Sequence, residues 1–267
     1  RDGAFLASML EEAPPAIGDR WWVPSRDEAA PGGIVWARGR VVQAAETSFV
    51  VALDDDAAAT KAEHTIRWRQ WAGVDEMLRQ ANEELRCVPF SRLPADAFAT
   101  SSAADAAATP IAVKCGAHEI DWFVSHSWHD DGSQKYAALS RAAAAFKAAH
   151  GREPRLWIDK YCVDQSRISD VLRLLPVFVS ACDAMVVLAG ATYASRLWCI
   201  WELHTLFTLS DAPRIAILDA GGGDARADLS SFEVANARCF DPNEEQKIRR
   251  AIGATPGGLA EFERTVR

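Results

Sequence analysis

The sequence predicts an α/β protein: a parallel five-stranded sheet in the carboxyl-terminal half, preceded by a smaller antiparallel β-barrel. Three observations point there. From Glu119 onward, short apolar runs alternate with longer helical segments, the signature of a parallel sheet covered on both faces. Between Gly18 and Trp68 the pattern is instead one of short β segments separated by turn-rich or acidic stretches, as in small barrels. Finally, 267 residues that are 49% hydrophobic and 25% charged suffice for one large domain or two modest ones.

Taken in order, residues 1–17 form an amino-terminal arm with a short apolar helix candidate, Phe5 to Leu10, ended by Pro14 and Pro15. The barrel occupies residues 18–72. Its strands are Arg20 to Pro24, Ile34 to Val42, Ser48 to Leu53 and His64 to Trp68, with a Pro31-Gly32-Gly33 loop and an Asp54-Asp55-Asp56 turn between them. Trp21, Trp22, Trp36 and Trp68 either fill and flank its small core or form an aromatic ligand cage. Residues 73–117 are read as a helix and an alanine-rich linker. Val74, Met77, Leu78, Ala81 and Leu85 recur with helical period, and Asp75 and Glu76 favour the helix start. The stretch from Pro94 to Pro110 has no apolar period, so it is a linker or a loop pinned to a domain surface.

Residues 118–267 carry the β-α alternation. Strands are expected at Ile120 to Ser125, Arg155 to Ile158, Ala184 to Ala189 and Arg214 to Leu218, with a weaker one near Phe232 to Cys239. Helices are expected at Ser133 to His150, Ser166 to Cys182, Ser195 to Leu209 and Asn243 to Ile252. The Gly221-Gly222-Gly223 loop is a turn, because no helix with phosphate-binding glycine spacing follows it.

Composition excludes several classes. A net charge of −8 argues against nucleic acid as a partner, since that needs a basic face. No apolar run reaches the roughly 20 residues of a membrane span. The six cysteines include no Cys-x-x-Cys pair, which speaks against zinc or a disulfide framework and for reduced thiols in a cytoplasmic, intracellular protein. His126 and His129 read as surface or loop histidines, and His204 has no metal spacing with any carboxylate, so no metal is expected. The chain begins at Arg1, which reads as a processed or trimmed piece.

The most informative segment runs from Thr192 to Leu203, directly after the buried-strand run Ala184 to Gly190. Glu202 there falls in the first turns of a helix at the carboxyl end of a sheet strand, where open α/β sheets bind ligands. Trp198 lies four residues earlier on the same helix face. An aromatic plane beside a lone carboxylate can stack a flat ring and hold a sugar hydroxyl. The alternative for Glu202 is structural, capping or pairing with a nearby base, and for Trp198 it is sealing the helix onto the sheet.

Residues 119–210 resemble a TIR domain, the Toll/interleukin-receptor/resistance-protein module, and the likeness runs more weakly to about residue 255. Asp121-Trp122-Phe123-Val124-Ser125-His126-Ser127-Trp128-His129-Asp130 is similar to the family's opening strand. Leu156-Trp157-Ile158-Asp159 is similar to its second strand, and Lys160 to Arg167 stand at its mobile loop. Trp198-Cys199-Ile200-Trp201-Glu202-Leu203 matches its tryptophan-cysteine-x-x-glutamate-leucine box. Two departures stand out: Arg196 lies where a serine is common, and the loop Asp159 to Gln165 lacks a glycine. Residues 18–70 resemble small barrels of the Src-homology-3 and Tudor type, closest to that at the amino end of myosin heavy chains.

The TIR resemblance implies a flavodoxin-like sheet and, in some members, hydrolysis or cyclisation of NAD+ at the nicotinamide–ribose bond in defence or stress signalling. It places the catalytic glutamate at Glu202. Trp128 and Trp198 would flank the nicotinamide or ribose, Ser125 and Ser127 would bond the carboxamide or phosphates, and Asp159 and Lys160 would line the mouth. NAD+ is then the substrate, with no separate cofactor. Active members work as assemblies, so homo-oligomers through TIR–TIR contacts are implied. Two alternatives remain: a non-catalytic scaffold that self-associates, and a nucleoside deoxyribosyltransferase, which shares the sheet and a glutamate nucleophile.

Overall fold

Short strands joined by short turns can pair only antiparallel, and the amino-terminal segment does so. A computed structural model describes residues 15–26, 34–45, 48–54, 63–67, 74–99, 111–164, 174–210, 212–221, 229–254 and 257–267. Strands β1 (Arg20–Arg26), β2 (Ile34–Ala45), β3 (Ser48–Leu53) and β4 (Glu63–Arg67) form a four-stranded antiparallel sheet in sequence order. Alternation turns Val23, Val41, Phe49 and Val51 into its small core, with Trp21 edge-on to Phe49 at 4.9 Å. Among the described residues β1 and β4 do not pair with one another. Trp68, the helix candidate at Phe5 to Leu10 and most of the alanine-rich stretch lie outside the described residues.

The next elements include the expected helix and add two short strands. Helix α1 (Val74–Glu84) buries Met77 and Ala81, and the chain then enters the main sheet as β5 (Arg86–Pro89) and β6 (Val113–Lys114). The expected strands follow: β7 (Ile120–His126), β8 (Arg155–Trp157), β9 (Cys182–Ala189) and β10 (Ile215–Asp219). The sheet is therefore six-stranded and mixed, in the order β10-β9-β7-β8-β5-β6, with the first four mutually parallel. β5 pairs antiparallel with β8, placing Val88 opposite Leu156. The expected fifth strand near Phe232 is instead a 3₁₀ turn, Val234–Asn236, joined by one isolated bridge between Arg196 and Arg238.

Six further helices are described: α2 (Gly132–His150), α3 (Asp159–Cys162), α4 (Leu175–Ser180), α5 (Leu197–Leu209), α6 (Pro242–Ala254) and α7 (Gly258–Val266). Asp131 caps α2 by accepting the Gln134 amide at 2.8 Å, and Gly151 ends it at φ 71°. Of the helix expected over 166–182, only α4 lies within the described residues; α7 was not expected. Phe123 stacks on Trp157 at 4.5 Å and Trp157 on Phe178 at 5.3 Å, tying β7, β8 and α4 into the core. Asp121 joins β7 to β8. Burial alone would raise its carboxyl, but the Arg152 guanidinium, at 2.7 Å on each oxygen, and the Arg155 amide hold it below its ordinary value.

The small sheet is fastened to the large module at α6. Asn243 brackets the open edge of β1, accepting the Trp22 amide at 2.9 Å and donating to the Trp22 carbonyl at 2.8 Å. Lys247 lies 5.5 Å from the Trp21 ring, and Trp36 meets Phe240 edge-on. Among the described residues no helix is long and apolar enough to cross a membrane.

Candidate active site at the ends of the parallel strands

Helix α5 starts the chemistry. Leu197 and every residue from Cys199 to Leu206 are buried, because β7, α4, α6 and α7 all pack on it. A carboxyl on such a helix must find partners within the protein. Glu202, 3% exposed, accepts the Ser125 hydroxyl of β7 at 2.5 Å. The Ser125 hydroxyl also meets the Tyr193 hydroxyl at 2.7 Å. Burial raises the Glu202 carboxyl well above its ordinary 4.5, the nearby Asp159 charge adds to this, and the Ser125 hydrogen bond opposes it. Burial thus favours the protonated form of Glu202 over its carboxylate.

A second cluster knits the loops that follow β7 and β9. The Ser127 and Thr192 hydroxyls are 2.7 Å apart, and Asp130 accepts both the amide and the hydroxyl of Thr192 at 2.8 Å. Gly190 makes this approach feasible: a Cβ there would lie 2.3 Å from the Asp130 carboxyl carbon. Lys135, fully buried, donates to the Ser127 carbonyl at 2.7 Å. Desolvation pulls its ammonium below its ordinary value, against the attraction of Asp130 and Asp159. Ser127 thus serves loop architecture in this structure.

The third cluster lies at the end of β8. The Trp128 indole donates to Asp159 at 2.8 Å. Lys160 does not line a mouth: it is 4% exposed and its ammonium turns back onto the Ala97 carbonyl at 3.0 Å. His126 is likewise not a surface histidine. It is 6% exposed, its Nε2 is 3.3 Å from Asp159, and the Phe98 ring meets it edge-on at 4.9 Å. His129 is exposed, as expected. Trp198 is partly buried against the core one turn before Glu202, and Trp201 is a packing residue at 1% exposure. His204 is buried beside Trp201 and Phe262, which lowers its pKa to about 4.

The structure brings together Glu202 with Ser125, and Trp128 with Asp159. Sequence reasoning passed over Tyr193, although it stands next to Thr192 at the head of the motif. Tyr193 follows the strand end by four residues, and only the 3₁₀ turn Tyr193–Ser195 swings it back under Ser125. Among the described residues no group of three His, Cys, Asp or Glu side chains is placed to hold a metal ion. A carboxyl with a hydroxyl partner, one helical turn from the Trp198 indole, offers groups of the kind that hold a sugar hydroxyl and a flat ring. Compared with protein-family models, curated proteins and solved structures, the chain matches none of them.

Proposed function

We propose that the carboxyl-terminal module is a flavodoxin-like domain of TIR type that cleaves NAD+ between nicotinamide and ribose, by hydrolysis or ring closure, with Glu202 as its catalytic residue. One observation carries this reading: Glu202, on the helix that follows β9, is hydrogen-bonded to Ser125 on β7. Counted along the chain, the four parallel strands lie in the order 2-1-3-4. In sheets of that order ligands sit outside the carboxyl ends of the first and third strands, which here are β7 and β9. The chemistry suits a single carboxyl. Nicotinamide leaves NAD+ as a neutral ring, so the general acid of ordinary glycosidases is dispensable. A carboxylate can bond ribose hydroxyls and stabilise the positive charge growing on the sugar. The pyridinium also lowers the pKa of Glu202, because an opposite charge favours the ionised form.

The test is NAD+ loss with product identification, using concentrated wild-type protein and Glu202→Ala shown folded by circular dichroism. Turnover that vanishes in the variant supports the reading. A second reading, a non-catalytic TIR-like scaffold that binds its own kind, draws on the sealing of Glu202 at 3% exposure. Absence of turnover at every concentration, with crowding agents included, would favour it.

A further inference from the structure

We propose that Asp159 serves this site through Trp128, as a positioning residue that fixes the indole plane, and does not itself meet the substrate. The inference rests on the NAD+-cleaving reading and refines it.

The carboxylate is turned toward protein donors. Its Oδ2 accepts the Trp128 indole N–H at 2.8 Å, and its Oδ1 accepts the Lys160 amide at 2.7 Å, which sets its rotamer at the first turn of α3. His126 approaches Oδ1 at 3.3 Å. That turn is held from outside the β-α alternation. Lys160 and Tyr161 both end on the Ala97 carbonyl, at 3.0 and 2.9 Å, and Phe98 covers the His126 ring. Residues 97–98 are pressed so closely onto α2 that a Cβ at Gly132 would lie 2.3 Å from the Phe98 carbonyl oxygen. Phe98, His126, Asp159, Lys160 and Ala97 thus form a closed ring of contacts, and the ring ends on one outward-facing group, the Trp128 indole.

Trp128 is the member suited to a ligand. It is partly exposed, whereas His126, Lys160 and Phe98 are buried. An indole has two side-chain torsions, and a hydrogen bond at the nitrogen edge restrains both while leaving the apolar faces open for stacking. Losing that anchor lets the ring turn away from a nicotinamide without removing any atom that touches it.

Residues that act as a unit lose activity once, and residues that contact substrate separately lose it multiplicatively. Trp128→Phe and Asp159→Ala are each expected to lower kcat/KM for NAD+ about tenfold, and the double variant by about tenfold as well. Asp159→Asn, which keeps one acceptor oxygen, should fall between wild type and Asp159→Ala. The indole N–H resonance absent from Trp128→Phe identifies Trp128, and it should shift and exchange faster with solvent in Asp159→Ala. A roughly hundredfold loss in the double variant would place Asp159 on the substrate and overturn the proposal. An unmoved indole resonance would overturn it too. If wild-type protein turns over no NAD+ yet the resonance moves, the NAD+ reading fails while the anchoring of Trp128 by Asp159 stands.

Discussion

At the scale of single residues, what a side chain does here is decided by what it is buried against. Glu202 is buried with the Ser125 hydroxyl as its partner, so its carboxyl is raised. Between the ordinary value of 4.5 and the raised folded value, the native state holds a proton that the unfolded chain releases. Stability therefore falls as pH rises through that window. Glu202→Gln removes the titration. It should melt at a higher temperature than wild type at mildly alkaline pH, with the gap closing toward pH 4.5, while turnover is lost. Thermal melts across this range check it; a less stable variant at alkaline pH would mean the carboxylate has a compensating charge. The position of Glu202 was legible because a helix after a parallel strand begins at the ligand edge of the sheet. The directions of Lys160 and His126 were not. A lysine after a strand reads as solvated, and only the fold brings the Ala97 carbonyl within reach.

At the scale of elements, the long periodic segments were legible and the short ones were not. α2 carries a capping aspartate and a terminating glycine, both local signals. β5 is four residues ending in proline, and β6 is two, so neither has a period to read. β5 is a strand because the β8 edge offers unpaired backbone groups beside it, and β6 pairs in turn with β5. Attachment of the small sheet through α6 follows the same logic, since the Asn243 carboxamide satisfies the outward N–H and C=O of Trp22. Asn243→Ala leaves both groups without that partner. It should cost about 1–2 kcal/mol of stability, measurable as a lower urea midpoint. Because α6 also packs on α5, the same variant should perturb the Glu202 helix more than an exposed alanine substitution elsewhere on α6.

At the scale of the whole molecule, the two sheets belong to one chain but have separate hydrophobic cores. Specific activity is expected to fall on dilution if the active form is an assembly, as the TIR likeness implies. A specific rate independent of protein concentration would sink that expectation. The sequence by itself determined the α/β class, the existence of the four parallel strands and a separate antiparallel sheet. These follow from periodicity and from the buried, two-sided character of strands such as β9, which are local properties. Only the tertiary structure decided that, among the described residues, the main sheet has six strands and β1 and β4 do not pair. It also decided that Tyr193, Ser125 and Glu202 meet, and that residues 97–98 close over His126. Each of these depends on which backbone edge or carbonyl is left unsatisfied once the core has formed, and residues far apart in sequence decide that together.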